Sequence, residues 1–128
     1  MNKIFNTKIW LLILAVVHTI MGIIVNYQQV SADVTDINAF NTENLAIFLI
    51  FGCMSIYLFY VALMTFGQNQ ARLAAVLCVP FFIFFIISWI MELNLIGVPV
   101  AKMPEATLPF ILWAMPAISG IINWNLND

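Results

Sequence analysis

The sequence predicts an all-α protein, a four-helix transmembrane bundle running up-down-up-down with both termini in the cytoplasm. Three observations carry that prediction. Hydrophobic residues fill 64% of the 128 positions and charged residues only 8%, against about 45–50% and ~25% in soluble domains. The apolar residues gather in four stretches, each near the ~20 residues that a spanning helix requires. The polar connections between them are short, so a single integral membrane domain, 1–128, takes up the whole chain.

Helix one is expected at about 8–26, after a short basic start holding Lys3 and Lys8. Leu11, Ala15, His18, Gly22 and Val25 recur at alternating spacings of four and three, which is one seam of a left-handed helix pair. Thr19 lies beside it. The seam collects the small and polar residues, and Ala15 and Gly22 are its packing positions. In a bilayer small residues let backbones approach and polar side chains bond across helices. Lys3, Lys8 and Val30-Ser31-Ala32 outline a signal peptide. The apolar run exceeds the usual h-region of about 7–15 residues, however, so a retained first helix is expected.

The loop 27–44 carries Asp33, Asp36 and Glu43 and no base. Its end reads as a helix start, with Asn41 or Thr42 as cap and Glu43 near the positive end of the helix dipole. Helix two follows at about 45–66. Phe48, Gly52, Ser55, Phe59 and Ala62 repeat the seam spacing, and Gly52 and Ala62 are expected to pack against helix one. The residues 67–70 read as a tight turn, Gly67 ending one helix and Asn69 capping the next.

Helix three is expected at about 71–91. Ala71, Ala75 and Cys78 keep its first half thin, and Pro80 should kink it. Phe81, Phe82, Phe84 and Phe85 read as core or lipid-facing bulk. The loop 92–103 is unusually apolar and lies in the interface or dips back into the bundle, with Gly97 and Pro99 opposing a regular helix. Helix four is expected at about 104–124, opened by Pro104 with Glu105 in its first turn. Pro116 should bend it, and Ala117 and Gly120 give it a small face.

Lysine and arginine bias sets orientation. With four spans, Lys3, Lys8 and Arg72 share one side and Lys102 stands on the other, so both termini are placed in the cytoplasm. Trp10 and Trp124 then fall at the inner interface and Trp89 at the outer one, as in an aromatic belt.

Several function classes are disfavoured. The net charge is −2 with no basic patch, so nucleic-acid binding has no electrostatic support. Serine-nucleophile, P-loop, dinucleotide-binding, paired-cysteine and metalloprotease patterns are absent, so no catalytic residue is assigned and an enzyme is not expected. With one histidine in the chain, no metal site and no cofactor is expected either. Cys53 and Cys78 sit within apolar stretches and read as free thiols.

His18 is the first candidate for chemistry. It lies about ten residues into helix one, roughly 15 Å deep at 1.5 Å per residue, and intramembrane ionisable residues are functional hypotheses by default. One reading makes it a neutral imidazole bonded to Ser55, Tyr57 or Tyr60 that locks helices together. A second makes it a ligand- or proton-handling site, the polar anchor of a lipid, quinone or similar apolar compound with Thr19, Ser55, Tyr57 and Tyr60 around it. A third makes it a metal or haem ligand, for which the chain offers no second histidine. Asp33, Asp36, Glu43, Glu92 and Glu105 form a candidate acidic outer rim, able to concentrate cations at a mouth.

Trp10, followed by His18-Thr19-x-x-Gly22, a long polar loop and three more helices, resembles a set of small uncharacterised bacterial integral membrane proteins. That resemblance implies a four-helix bundle in the bacterial inner membrane and brings no activity with it. The expected function is therefore non-enzymatic. The chain acts by helix–helix interaction, as a subunit of a membrane complex or as a homo-oligomer. The alternatives are an apolar small-molecule site at His18 and an oligomeric ion or solute pathway.

Overall fold

A computed structural model describes residues 6–25, 42–95 and 98–125. Helix α1 spans Thr7–Thr19 and continues as a π-helical stretch, Ile20–Val25. Then follow α2 (Thr42–Met64), α3 (Gly67–Ile90), a two-residue antiparallel pair of β1 (Asn94–Leu95) and β2 (Val98–Pro99), and α4 (Thr107–Ile122). Among the described residues the regular structure is all-helical apart from that small hairpin. Three of its helices are long and apolar enough to cross a membrane, and α4 is shorter. At 1.5 Å per residue α4 is roughly 24 Å long, against a hydrocarbon thickness of ~30 Å. The turns 103–106 and 123–125 extend it at either end.

α1 starts on Asn6, whose side chain accepts the amides of Lys8 (3.1 Å) and Ile9 (3.4 Å), the usual work of an N-cap. Thr7, Leu11, Leu14 and Ala15 are buried, whereas Ile13, Val16 and Ile20 face outward. Thr19 bonds back to the Ala15 carbonyl at 2.8 Å. Such a back-bond distorts the helix locally, and the π-helical stretch begins at the next residue.

α2 buries Ser55, Leu58, Val61 and Ala62. Its inner seam is therefore rotated slightly from the expected one. Leu58 replaces Phe59, which is only half-buried, and Gly52 meets nothing: a Cβ built there has no neighbour within 4 Å.

The expected turn at 67–70 is instead the first turn of α3. Thr65 and Phe66 alone separate the two helices. Gly67 makes this possible with φ 54°, a left-handed conformation that glycine adopts at no steric cost. Gln70 is buried, and its amide nitrogen donates to the carbonyls of Val61 (3.0 Å), Ala62 (3.1 Å) and Thr65 (2.8 Å). The carbonyls of Val61 and Ala62 are among the last of α2, which have no partner within their own helix, and Thr65 follows the helix directly. A residue that reads as turn filler is thus the cap of the preceding helix.

α3 passes through Pro80 without a break and ends on Glu92, whose φ is 50°. There the Glu92 amide donates to Trp89 (3.4 Å) and the Leu93 amide to Ser88 (2.9 Å), the pattern of a left-handed C-cap where glycine is commoner. The loop 92–103 forms the β1–β2 hairpin, with Leu95 opposite Val98. Glu105 lies in the turn before α4 and not in its first helical turn, because α4 begins only at Thr107, whose hydroxyl donates to the Pro104 carbonyl at 2.7 Å.

α3 and α4 share the most extensive interface. α1 packs on α2 and then on α4, while α2 touches α3 sparsely. α4 is buried on two faces, through Trp113, Ala117 and Gly120 and through Leu112, Pro116 and Ser119. The α3–α4 crossing is close because Gly120 has no side chain. A Cβ there would lie 2.7 Å from the Ala71 carbonyl oxygen and 2.8 Å from the Ala75 nitrogen. Gly120→Ala should therefore force the helices apart and lower stability by about 1–3 kcal/mol, the usual cost of overpacking. Gly52→Ala, placed in open space, should cost nothing. Thermal unfolding of both variants in one detergent checks the contrast.

Candidate functional site

His18 sits where α1, α2 and α4 meet. Its Nδ1 lies 3.0 Å from Ser55 Oγ of α2. Phe51 of α2 and Trp113 of α4 approach its ring edge-on, with centroids at 5.5 and 6.0 Å. The hydroxyl donates when Nδ1 is bare and accepts when Nδ1 carries the proton, so the bond survives either tautomer of the neutral ring. Gly22 lies one turn on. A Cβ there would meet Phe51 at 3.5 Å and the His18 ring at 3.8 Å, ordinary contact distances. Gly22 thus gives the ring room and does not mark a backbone-close crossing.

The site is closed on the α4 side by an aromatic cluster. Trp113 stacks on Phe81 of α3 at 4.6 Å, and Phe85 tilts against the same indole. Phe81, Phe82 and Phe85 are half-buried against the core, while Phe84 faces outward. Aromatic pairs of this kind prefer stacked or edge-to-face geometry. They fill the space beside His18 with carbon.

Of the other candidates, Thr19 bonds within its own helix. Tyr57 and Tyr60 are exposed, 37% and 58%, on the far face of α2 from His18. Ala15, Ala62, Ala75, Ala117 and Gly120 lie in the interior. Glu92 and Glu105 are exposed near the β1–β2 hairpin. Asp33, Asp36 and the Glu43 side chain lie outside the described residues, so the acidic rim is not assembled here. Among the described residues no three His, Cys, Asp or Glu side chains converge.

Two apolar grooves formed by the described residues lie away from His18. One of about 530 Å³ runs between α2 and α3, lined by Leu49, Ile50, Cys53, Met54, Tyr57 and Leu77. A second, of about 380 Å³, is formed by Leu12, Ile13, Val16 and Val17 on the outside of α1.

Sequence reasoning missed a set of polar contacts at one end of the bundle. Asn123 donates to Thr7 Oγ1 at 3.2 Å, tying the end of α4 to the start of α1. Arg72 donates to the Trp124 carbonyl at 3.3 Å and stands over the Trp124 ring at 5.6 Å. Lys8 stands over Phe66 at 5.1 Å. These are cation–π geometries, favourable where a ring and a cation meet near an interface. Their sequence signal was only that each residue falls next to a helix end.

No match to the chain is found among protein-family models, curated proteins or solved structures.

The His18–Ser55 pair generates a direct test. Ser55→Ala and His18→Phe should each lower stability, and the double variant should cost less than their sum. The coupling expected is about 0.6 kcal/mol, and up to ~1.7 kcal/mol, as for other hydrogen bonds between membrane helices. Denaturant unfolding of the four proteins in micelles measures it.

Proposed function

We propose that the chain is a non-enzymatic multi-pass membrane protein that acts by helix–helix interaction, as a subunit of a larger complex or as a homo-oligomer. The observation that carries this reading is the contrast between the two faces of α2. Its inner face is latched to α1 through Ser55 and His18. Its outer face is apolar and touches α3 so little that a groove of about 530 Å³ stays open between them. The alternative, an apolar ligand anchored on His18, calls for a cavity of ~300 Å³ or more beside the imidazole. The two grooves described above lie elsewhere, and the Phe51 and Trp113 rings pack against the imidazole.

All four helices cross the membrane in this proposal, alternating in direction. The Asn123–Thr7, Arg72–Trp124 and Lys8–Phe66 contacts support it, since each joins the start of one helix to the end of another. That end holds Lys8 and Arg72, so by the positive-inside rule it faces the cytoplasm. Lys102, near the hairpin, marks the outer side. The resemblance drawn above makes the bacterial inner membrane the expected location.

The orientation is tested with single cysteines placed at exposed Asn69 and Glu105 in a chain lacking Cys53 and Cys78. An impermeant thiol reagent added outside intact cells should label the position-105 variant and spare the position-69 variant until the cells are opened. The reverse pattern inverts the topology. The interaction itself is tested by native mass spectrometry of the protein extracted in mild detergent. A particle heavier than one 14.5 kDa chain is expected.

A further inference from the structure

The outer face of α2 differs from every other outward face of the bundle. Away from the helix ends, α1 presents Ile13, Val16 and Ile20, α3 presents Val76, Ile83 and Phe84, and α4 presents Ile111 and Ile118. All of these are hydrocarbon, which lipid tails solvate as well as protein does. α2 also presents hydrocarbon, through Leu49, Ile56 and Leu63, but beside these it presents a line that bears a thiol and two hydroxyls: Ala46, Ile50, Cys53, Tyr57, Tyr60 and Met64. These six recur at spacings of four, three, four, three and four, the heptad rhythm of a left-handed helix pair.

Tyr57 makes lipid a poor neighbour for this face. It lies eight residues before Thr65, about 12 Å into the bilayer at 1.5 Å per residue, where the hydrocarbon core is ~30 Å thick. Helical side chains lean toward the N-terminus of their helix, so the hydroxyl is carried away from the nearer interface. Tyr57 has no hydrogen bond among the described residues, and the rest of its groove is apolar or thiol-bearing. A hydroxyl in hydrocarbon lacks every partner that water gave it.

We propose that this face is the interface of a homodimer, in which α2 of one copy pairs in parallel with α2 of a second about an axis normal to the membrane. The proposal rests on the helix–helix reading above and names the partner. A two-fold axis sets each seam residue against itself, so Tyr57 meets the partner's Tyr57 and the two hydroxyls can bond each other. The seam carries no charged residue, so self-pairing opposes no like charges. With Leu49 beside it, it exposes on the order of 600 Å² per copy, at ~200 Å² for a whole large side chain. A symmetric pair would cover at most about 1,200 Å², the lower edge of specific interfaces.

Cys53 supplies the test, because it is exposed on the seam while Cys78 is buried. Membranes holding the full chain are treated with copper-phenanthroline, which oxidises close thiol pairs to disulfides. The reference is the Cys53→Ser, Val76→Cys protein, whose thiol sits on the lipid face of α3. The proposal expects several-fold more disulfide dimer from native Cys53 than from the reference, a native mass of two chains, and a several-fold loss of dimer in Tyr57→Phe with an unchanged helical circular-dichroism spectrum. Dimer yield no higher than the reference overturns it. The native mass then separates the two failures. A heavier particle containing a different protein would keep the helix–helix reading and replace the partner. A single chain carrying only lipid would end both.

Discussion

The His18–Ser55 hydrogen bond joins α2 to a bundle that otherwise holds it by one side. α2 packs almost wholly on α1 and meets α3 sparsely, although only two residues connect it to α3. In water such a helix would be pressed into place by its apolar surface. In a bilayer the tails are as apolar as leucine, so association rests on close packing and on polar groups that find each other. Ser55 and His18 are such a pair, near mid-span, with the Phe51 and Trp113 rings packed edge-on against the imidazole. At the end of α2 the Gln70 amide gathers three carbonyls and fixes where the helix stops.

The other half of the bundle is held differently. α3 and α4 approach until the Gly120 backbone lies against Ala71 and Ala75, with Ser119 and Cys78 buried close by in the interior. α4 then serves both neighbours, turning Trp113 toward His18 and Phe81. The order of contact, α2 on α1, α1 on α4, α4 on α3, leaves the bundle open between α2 and α3. The proposed interaction is placed at that opening because His18 and Ser55 are already bonded to each other within the molecule.

Much of this was legible in the sequence. The four apolar stretches gave the helices to within a few residues, and the spacing of Leu11, Ala15 and His18 marked the inward face of α1. Depth along the helices offers Ser55, Tyr57 and Tyr60 as partners of His18, and of the three only Ser55 meets it. The misreadings have local causes. Gly52 falls on a four-three seam and so reads as a packing glycine, yet the true seam runs one position over, through Leu58. A heptad count tolerates that rotation, since 3.6 residues per turn drifts against 3.5. The residues 67–70 looked like a turn because glycine, asparagine and glutamine dominate turns, and nothing local shows that Gln70 is turned inward onto α2. The π-helical stretch after Thr19 had no sequence signal beyond Gly22 and a β-branched run.

The central claim is that His18 spends its hydrogen bond on Ser55 and so acts as the latch of α2. The most direct measurement is the ¹⁵N resonance of the His18 ring in lipid bilayers, which is unambiguous because the chain has one histidine. The account predicts that the Nδ1 signal moves when Ser55 is replaced by alanine and that Nε2 responds much less. An Nδ1 signal indifferent to Ser55→Ala would contradict it.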